Sequence, residues 1–156
     1  MRRFVGQDRG AHGAEHTAHA LYERHLEVGD LVWRGAEPAE DAFGAAMAPY
    51  TAGDYAAAER RLAAYLSEHP GDAEASFYRG VSLLLLHRPG QALLPLQQAV
   101  DRGGEPLAAE ARWYLALANL EVDERAAAIE ELGRLAASAG RHQSEAVELL
   151  RRLETR

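Results

Sequence analysis

The chain predicts an all-α solenoid of three stacked helical hairpins, preceded by an N-terminal helical arm and closed by a C-terminal capping helix. Three observations carry this expectation. Ala58, Ala92 and Ala128 lie 34 and 36 residues apart, and Leu62, Leu96 and Leu132 keep the same two offsets. A period near 34 with two helices per unit is the mark of a stacked helical repeat. Glycine and proline punctuate the chain at Gly53-Asp54-Tyr55, Pro70-Gly71, Pro89, Gly103-Gly104 and Pro106, between segments of helical periodicity. Finally, residues 143–154 place Ala146, Leu149, Leu150 and Leu153 on one face and charges on the rest. Such a helix can seal the open end of a stack.

The elements follow in order. Residues 1–13 are rich in glycine and charge. A helix is expected over 14–28, where Ala18, Leu21, Tyr22, His25 and Val28 recur at three- and four-residue spacing, and Gly29-Asp30 stops it. Leu31-Val32-Trp33 is a short apolar cluster before the loop that ends at Pro38. The boundary between the arm (1–38) and the repeat domain (39–156) is set there. The first hairpin pairs a helix over 39–51, kinked at Pro49, with one over 55–68 that ends before Pro70. In the second, Asp72 is the expected N-cap of a helix over 73–87, and Pro89 opens a partner helix that Pro95 should bend and Gly103-Gly104 should end. The third pairs 107–121 with 124–137, with Asp123 as the expected cap of the latter.

Composition excludes several function classes. All 17 basic residues are arginine, and the formal charge is −7. That balance argues against general nucleic-acid binding, which needs a basic surface. Cysteine is absent, so disulfides, thiolate metal sites and cysteine nucleophiles are excluded. No apolar run approaches the roughly 20 residues of a membrane span, so no membrane insertion is expected. Arg2-Arg3 is not followed by the apolar stretch of an export signal, and the expected location is the cytoplasm. No phosphate loop, serine elbow or HExxH motif is present. Glu130-Glu131 and Asp123-Glu124 are adjacent and so do not face one another on a helix. The expectation is a non-catalytic chain that needs no cofactor.

Residues 39–137 resemble three tetratricopeptide repeats. The second repeat fits best, with Gly80, Leu83, Ala92, Leu96 and Ala99 in their slots. The first keeps Gly53-Asp54-Tyr55, Ala58, Leu62 and Pro70 but has Ala46 for the glycine and Pro49 for the tyrosine. The third keeps Leu115, Ala128 and Leu132, with Ala116 for the glycine and Asn119 for the tyrosine. Ala46, Gly80 and Ala116, with Ala58, Ala92 and Ala128, should lie where paired helices approach closely, because cores are close-packed. The Leu-rich segment Gly80–Leu86 and Ala111–Ala118 also resemble soluble repeat domains of bacterial anti-sigma proteins, which implies a regulatory alternative. The zinc-binding part and membrane helix of those proteins have no counterpart in this chain.

The resemblance implies that the first helix of each hairpin lines a concave face. Phe43, Met47 and Tyr50 fall at i, i+4 and i+7, as do Phe77, Val81, Leu84 and then Trp113, Leu117, Leu120. Glu40, Glu74 and Glu110 precede each triplet by three residues. The expected site is an apolar groove with an acidic edge, taking a helical or extended peptide as a scaffold or adaptor would. Packing between neighbouring first helices is the competing account of the stripe. A third account has the N-terminal arm, from the same chain or a neighbour in a homo-oligomer, covering the groove. The family's carboxylate clamp of Lys, Asn and Arg is missing, since those inner slots hold Phe43, Met47, Tyr78, Trp113 and Leu117. Arg79 and Arg112 are the basic residues in the body of these helices, and Arg79 is expected to pair with a glutamate. In the arm, His16, His19 and Glu23 share one helical face and have the residue types of a Zn or Ni site. A solvated polar face is the simpler account, and no metal is assigned.

Overall fold

A computed structural model describes residues 42–155. The N-terminal arm, with its expected helix, Leu31-Val32-Trp33 and the His16, His19, Glu23 set, lies outside the described residues, as does Glu40. The described chain is all helix and turn. Its elements are α1 (Ala42–Thr51), α2 (Tyr55–Glu68), α3 (Ala73–Leu85), α4 (Pro89–Arg102), α5 (Leu107–Glu121), α6 (Arg125–Ala137) and α7 (Gln143–Glu154). Each packs chiefly on its neighbours in sequence, and α1–α3 and α3–α5 meet only sparsely. This is the one-dimensional stacking of a repeat array.

Local chemistry sets the helix limits. Gly53 adopts φ 77° between α1 and α2, a left-handed conformation that favours glycine. The Asp54 and Asp72 carboxylates accept from the Ala57 and Ala75 amides, each at 2.9 Å, capping α2 and α3. Pro89 sits in the first turn of α4, where its missing N–H is no loss. α1 continues through Pro49, and α4 through Pro95.

Two limits differ from the sequence expectation. α3 ends at Leu85 rather than 87, because His87 turns to φ 56° and its amide bonds back to the Leu84 carbonyl. Asp123 does not cap α6. It sits at φ 62°, with its amide donating to the Leu120 carbonyl, and Glu124 takes the N-cap position without a side-chain bond. Asp123 therefore closes α5 instead of opening α6.

The core is one continuous cluster from Ala46 to Leu153. The small residues at the repeat offsets occupy the close approaches: Ala46, Ala58, Gly80, Ala92, Ala116 and Ala128 are all buried. At Gly80 the fit is tightest. A Cβ there would stand 2.6 Å from Leu96 Cγ, so α3 and α4 cross at a distance that only glycine allows.

Candidate functional site

The nine apolar residues of the expected groove sit on α1, α3 and α5, as their spacing required. Seven are buried, and Phe43 and Tyr50 are half-buried. Phe77, Val81, Leu84, Trp113 and Leu117 have no exposed surface at all. The face therefore does not present an open apolar strip to water. The seven buried residues belong to the continuous core cluster, and Phe43 and Tyr50 pack against it.

The aromatic residues pack on one another across the helices. Phe43 packs on Tyr65 of α2, with ring centroids 5.6 Å apart. Tyr50 meets Tyr55 and Tyr78 edge-on at 5.6 and 5.0 Å. Phe77 meets Tyr78 and Tyr114 edge-on at 5.3 and 5.7 Å. Tyr50, Tyr78, Phe77 and Tyr114 thus form an edge-to-face ladder from α1 through α3 to α5, the arrangement that ring quadrupoles favour. The ladder uses Tyr78 and Tyr114, next to the predicted positions, because residues on successive helices meet across the stack at an angle. Burial raises the tyrosine pKa values above their ordinary range. For Tyr78 burial, then Glu74, pushes it up to about 12. Burial also raises Tyr50 and Tyr114, the latter helped by Glu110 and opposed by Arg141.

The acidic edge divides. Glu74 is exposed, and burial of part of its side chain, then Asp72, raises its carboxyl pKa. Glu110 is buried, so it does not form a rim. The His142 Nε2 atom lies 2.9 Å from Glu110 Oε2, and Arg141 Nη1 lies 3.5 Å from Oε1. The His142 ring lies flat on Trp113, with centroids 5.0 Å apart and planes 3° from parallel. Glu110 thus ties α5 to the start of α7. His142 went unnoticed in the sequence because it lies in the last turn before α7, outside any repeat. Its only signal was a lone histidine at a helix start.

Arg79 pairs with Glu59 of α2 at 3.1 Å, as expected of a charge in an apolar slot. Arg112 pairs with Glu131 at 3.0 Å, and Arg134 bridges Glu130 and Glu131. Both arginines of the α3 and α5 bodies therefore have carboxylate partners. Among the described residues, no group of three or more His, Asp or Glu side chains gathers as metal ligands, and no helix is long and apolar enough to cross a membrane.

The family model of the tetratricopeptide repeat matches residues 43–103, which span α1 to α4. Comparison with curated proteins gives no match. Tetratricopeptide repeats are generally non-catalytic modules for protein–protein interaction.

Proposed function

The chain is a tetratricopeptide repeat protein over residues 43–103, and from that premise we propose that its work is to hold an apolar helix or extended segment against α1, α3 and α5. The nine residues Phe43, Met47, Tyr50, Phe77, Val81, Leu84, Trp113, Leu117 and Leu120 are the binding face, and Glu74 flanks it. In the resting protein the N-terminal arm, from the same chain or a neighbour, occupies this face, and a partner competes for it. The protein is an adaptor and not an enzyme, and its partner is a protein.

The observation that carries this reading is the near-complete burial of seven of the nine residues on helices that meet one another only sparsely. Apolar surface of this extent has to be covered. Residues 1–38 supply a matching stripe in Ala18, Leu21, Tyr22, His25 and Val28, followed by Leu31-Val32-Trp33. Helix-in-groove recognition uses the same three- and four-residue anchors.

Removal of residues 1–38 tests the proposal. It leaves Trp113 as the sole tryptophan. The shortened chain should self-associate in light scattering, and Trp113 emission should shift to the red. A monomer with unshifted emission and unchanged stability would contradict the proposal.

A further inference from the structure

A second concave surface lies between α4 and α6, over α5. An open cavity of about 610 Å³ separates these helices, within the roughly 300–1,000 Å³ range of ligand pockets. Leu93 and Leu94 form one wall, and Leu115 and Asn119 of α5 line it from beneath. Asn119 is 93% buried, being 7% exposed. Its backbone carbonyl accepts from the Glu124 amide at 2.8 Å, and its carboxamide, which makes no hydrogen bond among the described residues, keeps contact with solvent through the cavity. A carboxamide that meets only solvent on the floor of a cavity can exchange that water for a ligand's polar groups.

The repeat explains how the space arises. Leu83 is the equivalent residue one hairpin earlier, 36 positions back, and it is buried with 1% exposure. The third repeat has a polar side chain of nearly the same shape at that position, so the floor of this cavity carries a carboxamide where the second repeat has an alkyl group. Leu94, on the wall, is 67% exposed, the most exposed of the large apolar residues among the described residues. The rim is charge-balanced: Arg134 bonds Glu130 and Glu131, and Glu131 also accepts from Arg112.

We propose that this cavity binds the main chain of a partner peptide, with Asn119 pairing to a peptide group and a leucine-sized side chain packing on Leu93 and Leu94. A carboxamide offers one acceptor and two donor hydrogens, so it matches the C=O and N–H of an extended peptide. A rim whose charges already cancel selects against an ionised ligand. A carboxylate would face Glu130 and Glu131, and burying an unpaired charge is costly. The site lies on the α4–α6 side of the stack and is separate from the α1, α3, α5 face.

The test uses the full chain, labelled with ¹⁵N, and N-acetyl-leucine methylamide as the probe. The Asn119 side-chain NH₂ signals should shift saturably, with a dissociation constant of about 1 mM for a ligand of this size. N-acetyl-leucine, which carries a carboxylate, should bind at least about tenfold more weakly. Asn119→Leu should abolish the accompanying shifts of the Leu93 and Gln97 backbone amides, and Leu94→Ser should weaken binding several-fold. Leu94 is exposed, so that variant stays informative if Asn119→Leu fails to fold. Absence of a saturable Asn119 shift would overturn the proposal. So would equal binding of the two probes, or binding unchanged in both variants.

Discussion

α1 and α5 occupy equivalent places in their hairpins, yet they are buried very differently. α5 buries 11 of its 15 residues, including Glu110 and Asn119, whereas α1 buries Gly44, Ala46 and Met47 out of 10. The helices differ in their neighbours. α5 lies between α4 and α6 and is tied to the start of α7 by Glu110 and His142. α1 packs mainly on α2. In a stacked array, a position's burial depends on which repeats flank it as well as on its place in the repeat.

The largest expected effect comes from the aromatic residue that opens each triplet. Trp113→Ala should cost about 3–5 kcal/mol in urea unfolding, because it empties a fully enclosed site and strips His142 of its stacking partner. Phe43→Ala, at a half-buried position, should cost roughly half as much. Equal losses would break the contrast between the two ends. The carboxylates give the next comparison. Glu110→Ala should cost about 1–3 kcal/mol, because it removes the buried carboxylate that faces both His142 and Arg141. Glu74→Ala, at the matching exposed position, should stay within about 0.5 kcal/mol.

The tyrosine ladder gives a pH signature. Its tyrosines ionise less readily folded than unfolded, so the unfolded chain releases protons first as pH rises. Stability should therefore hold below the ordinary tyrosine value of 10 and fall from there towards about pH 12. Alkaline titration followed by circular dichroism checks this, and Tyr78→Phe should reduce the slope. Two helical glycines give opposite expectations. Gly80→Ala should destabilise by about 1–2 kcal/mol, because its Cβ meets the branch point of Leu96. Gly133→Ala meets nothing within 4 Å and should stabilise α6 by about 0.5–1 kcal/mol.

Much of this architecture was legible in the sequence because close helix crossings admit only small side chains. Ala58, Ala92 and Ala128 fixed the period, and the helix limits followed from Asp72, Pro89 and Gly53 to within two residues. Features that depend on contacts between repeats were not legible. Glu74 and Glu110 look alike in sequence, and only the return of His142, 32 residues later, separates them. Asp123 looks like a cap by residue type, but its left-handed backbone assigns it to the preceding helix. The triplets were placed on the right helices. The periodicity did not show how fully they would be enclosed, since spacing gives a residue's face and not what lies against it.

The most direct measurement is a fluorescence titration of residues 39–156 with a synthetic peptide spanning residues 14–35 that carries phenylalanine in place of Trp33. Trp113 is then the only tryptophan in the mixture. The account predicts a saturable blue shift of its emission, together with reversal of the self-association that follows truncation. An emission spectrum unmoved by the peptide would contradict it.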